Sequence, residues 1–296
     1  MTSASPESTR VVVVVGAGPA GLSAALALRA RGLPALVVEA EPEERVRPGS
    51  RAIFVHRESL SLLESSRPGL GHRIADAGLV WPTRRSTFRG RTVFARTYPL
   101  AKGGGLPPST SLPQVQTEEL LLGACREAGV EFAWGAPVVG VYSGPEEVVL
   151  TTAERVSWVS TYQFVQVVAS EFNDRERRVL LVGEAAHLFA PFGARGMNSG
   201  IADAARAANG IRSALEDPGA ARSAVESFAA DRRDAALYNR AAAGAALTHM
   251  QAKGLRLRLK RRLAAAGAPR VRQAGVWLDT APYGPRTGRA GKAGKY

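Results

Sequence analysis

Val11-Val12-Val13-Val14-Val15-Gly16-Ala17-Gly18-Pro19-Ala20-Gly21, running into the alanine- and leucine-rich residues 22–31, decides the fold. Five β-branched residues in a row have the pattern of a buried parallel strand. The apolar spacing after Gly21 is helical, Gly32 supplies a stop, and residues 35–39 read as a second short strand. Strand, glycine turn, helix and strand make one right-handed βαβ unit. Gly16 permits the tight turn off the strand, Gly18 lets backbone approach a diphosphate, and Gly21 lets the helix pack closely on the sheet. Ala17, Pro19 and Ala20 complete a turn whose helix-start amides face negative charge. Glu39 stands at the end of the second strand, at the spacing where an acid accepts hydrogen bonds from a ribose 2′-hydroxyl and repels a 2′-phosphate. These residues therefore read as a site for FAD or NAD, and not for NADP.

The surrounding composition agrees with a globular chain. It has 296 residues, 45% hydrophobic and 22% charged, enough to bury a sizeable core. The longest aliphatic run, residues 11–15, is far shorter than the roughly 20 residues that cross a bilayer, so no membrane association is expected. Residues 1–10 are polar and the single Cys125 cannot close an intrachain disulfide, which together point to the cytoplasm. Of the net charge of +13, residues 253–296 carry +11, so a basic tail is attached to a nearly neutral body. Arg256, Arg258, Lys260, Arg261 and Arg262 could track phosphates, but no aromatic platform is interleaved with them. A solvated helix face and no specific nucleic acid are expected.

Patterning places helices at residues 57–65, 71–78, 117–128, 197–215, 221–250 (with a break at Gly244) and 255–266. It places strands at 88–95 (in a hairpin), 130–134, 138–142, 148–152 and 178–182, the last buried, and a loop at 103–108. The expected organisation is 1–152 and 153–215 as two halves of one nucleotide-binding domain, 216–270 as helices, and 271–296 as a basic tail, irregular from Gly275 onward.

A second run, Val179-Leu180-Leu181-Val182-Gly183-Glu184-Ala185-Ala186-His187 followed by Pro191-Phe192-Gly193-Ala194-Arg195-Gly196-Met197-Asn198, resembles the second flavin motif of the aromatic-ring hydroxylases. These are the class A flavoprotein monooxygenases related to p-hydroxybenzoate hydroxylase. The resemblance extends through Ser50-Arg51-Ala52, Leu112-Pro113-Gln114 and residues 158–172, and covers most of residues 11–285. It implies an α/β fold, a Rossmann-like FAD-binding domain of the glutathione-reductase-like class. FAD is then the nucleotide held, NADH or NADPH the co-substrate, and a small aromatic or polyketide-like molecule the substrate. Glu184, where the family usually has Asp, keeps both carboxylate acceptors for ribityl or ribose hydroxyls. Gly183 precedes it, Gly193 and Gly196 let backbone pass close to the flavin ring, and the helix starting near Met197 and Asn198 aims its positive end at the ring. By resemblance, Arg51 and Gln114 also contact the flavin. No catalytic residue is assigned. His187 has no accompanying nucleophile and reads as structural, His56, His72 and His249 lack metal-ligand spacing, and Cys125 reads as core.

The chain also departs from the hydroxylase pattern. It contains no Asp-Gly dipeptide, and residues 148–152 run almost directly into residues 155–164, which resemble the end of the family's middle region. A block of about one domain's worth, on the order of a hundred residues, is absent by that comparison. The substrate region is thus truncated and the C-terminal part helical. A shortened site admits water, so a second expectation is a flavin-binding protein without productive hydroxylation, an NAD(P)H oxidase or an interaction protein. Uncovered apolar edges suggest closure by a homodimer or a partner chain.

Overall fold

The structure, a computed structural model, describes residues 11–44, 52–99, 103–153 and 166–283. Arg51, Ser50, most of the resemblance at residues 158–165 and the sequence beyond Tyr283 lie outside the described residues.

The βαβ unit forms as its sequence dictates. β1 (Val12–Val15), α1 (Pro19–Arg29) and β2 (Ala35–Val38) are followed much later by β7 (Glu131–Ala133), and the three strands make a parallel sheet in the order β1-β2-β7. Val12 pairs with Ala35 and Leu36 with Glu131, so the register is continuous across the sheet. α1 is buried from Gly21 to Leu28, because the sheet covers one side and other helices the rest. Its leucines and alanines join Val14, Val37, Leu60, Leu121 and Ile201 in one core.

Between β2 and β7 lie β3 (Ala52–His56), α2 (Arg57–Ser66), α3 (Leu70–Ala77), the hairpin β4 (Thr83–Phe88) and β5 (Arg91–Thr97), β6 (Ser109–Pro113) and α4 (Gln114–Glu127). β3 pairs antiparallel with β6. The hairpin turns at Arg89 and Gly90, both left-handed, so the expected strand 88–95 contains the turn itself. α4 starts three residues before the expected helix, at Gln114, directly off Pro113. β8 (Val138–Ser143) and β9 (Val148–Thr152) form a second hairpin, and β10 (Val167–Val168) pairs with β11 (His187–Leu188). The chain continues as α5 (Arg195–Glu216), α6 (Ala221–Gln251), α7 (Leu255–Gly267) and α8 (Arg272–Thr280).

Four expectations are corrected. Residues 178–182 are not a buried strand: they are extended and partly exposed, with an isolated bridge from Leu180 to Asn173. Among the described strands β1 consequently lies at the sheet edge and is buried only at Val14, while Val11, Val13 and Val15 are 49%, 41% and 54% exposed. An aliphatic run reports two buried faces only where both faces are covered, and here α1 covers one. Gly244 does not break α6, which runs on through it for a total of 31 residues. The irregular tail expected from Gly275 is instead α8 up to Thr280. Gly275 lies so close to the Phe94 ring that a Cβ would overlap it, and Asp279, fully buried, is held by Arg84 on β4 and by Arg96 Nε on β5 at 3.2 Å. Tertiary packing against the hairpin outweighs a composition rich in helix breakers.

Candidate functional site

The glycine turn is built as close approach requires. Gly16 has φ +101°, a conformation that penalises any Cβ, and its N–H donates to the Val38 carbonyl at 2.8 Å. Gly21 faces Gly16 across the turn, where a Cβ would overlap the Gly16 carbonyl and come 3.1 Å from its carbon. Gly18 differs: it caps α1 in an extended conformation (φ −79°), and a Cβ there would meet nothing within 4 Å. The structure thus places backbone beside open space at Gly18 and beside backbone at Gly21. Pro19 occupies the first helical position, where its missing N–H costs nothing, and the first turn contains no acid. The Ala17 N–H donates to Glu39 Oε2 at 2.6 Å, so the carboxylate after β2 is buried and tied to the turn itself.

The second motif meets this turn. Gly183 is left-handed (φ +59°) and opens the 3-10 turn Gly183–Ala185. An added Cβ at Gly183 would lie 2.7 Å from Ala20 Cβ, and one at Gly200 would lie 3.0 Å from the same atom. The start of α1, the 183–185 turn and the second turn of α5 therefore share one crowded junction around Ala20. Glu184 is exposed and lies beside Gly196, where a Cβ would be 3.6 Å from Oε1. α5 begins at Arg195 after a left-handed Ala194 and has no acid in its first turn, so its positive end is uncompensated by its own side chains.

Three other expected residues have their side chains placed as follows. Met197 is in the main core with Leu22 and Ile201. Asn198 is fully buried: its Oδ1 accepts from His56 N at 3.0 Å and Ser59 Oγ at 2.7 Å, and its Nδ2 donates to the Phe54 and Ala194 carbonyls. With all four positions used within the protein, Asn198 fastens α5 to β3 and α2, and only its backbone faces the helix start. Gln114 donates to Glu118 Oε1 at 2.8 Å and is partly buried at the end of β6. Arg51 lies outside the described residues.

Sequence reasoning missed the group that holds the second turn. Asp203 on α5 is 0% exposed; its Oδ2 accepts the Gly183 N–H at 3.0 Å and His187 Nε2–H at 2.7 Å, and its Oδ1 accepts Arg232 Nε at 2.6 Å. A carboxylate only accepts here, which fixes the proton of His187 on Nε2. Burial pushes the Asp203 pKa up, but the His187 hydrogen bond and the charge of Arg232 outweigh it and hold the carboxyl below its ordinary range. His187 is buried and stacks on Phe189 at 4.5 Å. Arg195 is likewise buried, donating to Asn239 Oδ1 at 2.6 Å and to the Tyr283 carbonyl at 2.9 Å. That contact draws the segment after α8 to the loop at Gly193, whose own carbonyl accepts from His56 Nε2 at 3.3 Å. A charged residue in an alanine-rich helix reads as solvated unless its distant partner is known, and no local pattern marks these pairs.

Comparison with known proteins gives the site a family. The chain matches the FAD binding domain family over residues 8–150 and 145–239. It is 32% identical over 156 residues to a rifampicin monooxygenase of Streptomyces venezuelae, covering 48% of this chain and 28% of that protein. It is 34% identical over 140 residues to a 12-dehydrotetracycline 5-monooxygenase/anhydrotetracycline 6-monooxygenase of Streptomyces rimosus, covering 44% of this chain and 24% of that protein. The match thus spans only about a quarter of the length of these relatives. Among solved structures, p-nitrophenol 4-monooxygenase PnpA from Pseudomonas putida superposes with a TM-score of 0.71 at 18% identity, over 94% of this chain and 98% of that one. OxyS anhydrotetracycline hydroxylase from Streptomyces rimosus gives 0.69 at 18% identity, over 95% and 77%. At that identity the likeness is one of fold: an α/β FAD-binding fold. The chain belongs to the FAD binding domain family, and the relatives it resembles are flavin-dependent monooxygenases.

Proposed function

We propose that the protein is an FAD-dependent oxidoreductase that uses NADH or NADPH and oxygen on an aromatic or polyketide-like small molecule. The observation that carries this reading is the junction around Ala20, where the turn at Gly183 meets the helix that the far-removed Gly16 turn starts. The residues fit the cofactor: Gly18 leaves room at the backbone where a diphosphate needs it, and the first turns of α1 and α5 contain no acidic residue of their own. Bound FAD would supply two-electron transfer and reaction with oxygen.

Under this reading Gly16, Ala17, Gly18, Pro19, Ala20 and Gly21 surround the diphosphate through their backbone. Glu39 accepts from a ribose hydroxyl, and Glu184, one methylene longer than the usual aspartate, reaches sugar or ribityl hydroxyls from its exposed position. Backbone at Gly183, Gly196, Met197 and Asn198 faces the ring end, with Arg51 and Gln114 as further contacts. Asp203 acts indirectly, by fixing the Gly183 amide.

A second reading has its own support. Val11, Val13 and Val15 on the sheet, with Val139, Val141 and Tyr142 on β8, are exposed. Uncovered apolar surface of this kind invites a second copy or another chain, and a flavin site left open to water without its cover favours a flavin-binding protein that reduces oxygen without hydroxylating. Titration of FAD into the protein, followed by oxygen uptake with peroxide measured in parallel, separates the readings. Hydroxylated product matching the oxygen consumed supports the first, and full recovery as peroxide supports the second. A protein that takes up no FAD refutes both.

A further inference from the structure

α7 is basic throughout and carries an apolar stripe that the protein leaves uncovered. Leu255, Leu259 and Leu263, four residues apart, are 79%, 54% and 65% exposed, whereas the helix buries only Ala265 fully. At about 100° per residue these leucines fall within an arc of roughly 80°, facing away from the half-buried Leu257, Arg261 and Ala264. Cations flank the arc on both sides: Arg256 and Lys260 along one border, Arg258 and Arg262 along the other. Arg258 caps the end of α6 through the Ala252 and Lys253 carbonyls, and Lys260 Nζ sits over the Trp277 ring at 4.7 Å, so both borders are held in place.

The charge balance of this region is decided by tertiary structure. Residues 253–283 contain eight Lys and Arg and one acid, Asp279. Asp279 is turned inward onto Arg84 and Arg96, leaving the outer surface cationic. A solvated face, the expectation from sequence, has no reason to carry three leucines in register. An apolar stripe bordered by two rows of long cations is the arrangement that suits a plane with an apolar interior and an anionic surface.

We propose that α7 docks the protein peripherally onto an anionic lipid bilayer, its leucines entering the headgroup boundary while Arg256 and Arg262 engage lipid phosphates. α7 is about 20 Å long and lies in the interface plane; among the described residues no helix is long and apolar enough to cross a membrane. The proposal is independent of the flavin reading.

The test is flotation of the full-length protein with vesicles of phosphatidylcholine alone and of phosphatidylcholine with phosphatidylglycerol. Binding to the anionic vesicles only, weakening as salt rises from about 50 to 500 mM, is the expected result. Arg256→Gln with Arg262→Gln should lower partition roughly 25-fold, about fivefold per charge. Leu259→Glu with Leu263→Glu, at exposed positions that leave the core untouched, should lower it by on the order of a hundredfold. The same variants are measured by sedimentation and by DNA titration. Failure of the unmodified protein to float with anionic vesicles overturns the proposal. So does flotation that survives the leucine substitutions, self-association abolished by them without lipid binding, or salt-sensitive DNA binding in place of lipid binding.

Discussion

Gly18 and Gly21 belong to one turn, yet the structure assigns their missing side chains opposite consequences. At Gly18 a Cβ meets nothing within 4 Å and φ is −79°, so Gly18→Val places its Cβ in open space without backbone strain. The cost to the fold is the difference between Gly and a poorer helix cap, under about 1 kcal/mol. At Gly21 a Cβ overlaps the Gly16 carbonyl and crowds its carbon at 3.1 Å, between backbone that cannot swing aside. Gly21→Ala should therefore cost about 1–3 kcal/mol or more in stability through overpacking. For ligand binding the order reverses. If diphosphate contacts the backbone at Gly18, the valine methyls occupy its space, and loss of even two charge-assisted hydrogen bonds, about 3 kcal/mol, lowers affinity more than a hundredfold. Urea unfolding of the ligand-free variants and FAD titration by fluorescence quenching measure the two effects separately. A Gly18→Val protein that folds normally and binds FAD as tightly as the unmodified chain would refute the placement of the diphosphate. A Gly21→Ala protein as stable as the unmodified one would refute the account of the turn.

Asp203→Ala strands Arg232 in the core and should destabilise the protein by about 3–5 kcal/mol, read as a fall in the urea midpoint. Because the native pKa of Asp203 is depressed, its contribution is complete above the unfolded aspartate value and disappears as pH falls through the native one. Asp203→Asn should accordingly flatten the acid limb of the stability profile below about pH 4 while leaving its shape at neutral pH unchanged. Cys125 is fully buried beside the Leu22 carbonyl and its thiol is pushed up to about 12, so a thiol reagent at pH 8 should label it only after unfolding; prompt labelling of native protein would contradict its place in the core. Gly244 lies within continuous α6 with nothing within 4 Å of a Cβ, so Gly244→Ala should raise stability by about 0.5–1 kcal/mol and shift the thermal midpoint upward.

How much of this was legible in the sequence depended on whether the cause was local. The βαβ unit follows from a valine run, glycines at a fixed spacing and a helical apolar period, all of which act within about thirty residues. The second motif was recognised as a pattern, and the structure brings its turn to Ala20. The helices α2, α5 and α6 also follow from periodicity, since each needs only an apolar face to bury. Residues 178–182 show the limit: their composition suits a buried strand, but whether a strand forms depends on an available edge to pair with.

What the sequence determined by itself is therefore the nucleotide-binding half: the turn at Gly16, the helix it starts, the acid at Glu39 and the flavin-type motif around Gly183. Only the tertiary structure decided which side chains stay open and which are engaged within the protein. Asn198 and Met197 stand in the stretch expected to bind flavin, yet the side chain of one is consumed by β3 and α2 and that of the other by the core. Asp203, Arg232 and Asp279 look like ordinary surface charges until packing brings each a partner from far along the chain, and only packing leaves the leucines of α7 outside. The physical reason is common to all of them: hydrogen-bond partners and burial are properties of what lies opposite in space, and a linear pattern specifies which face a residue occupies, not what that face meets.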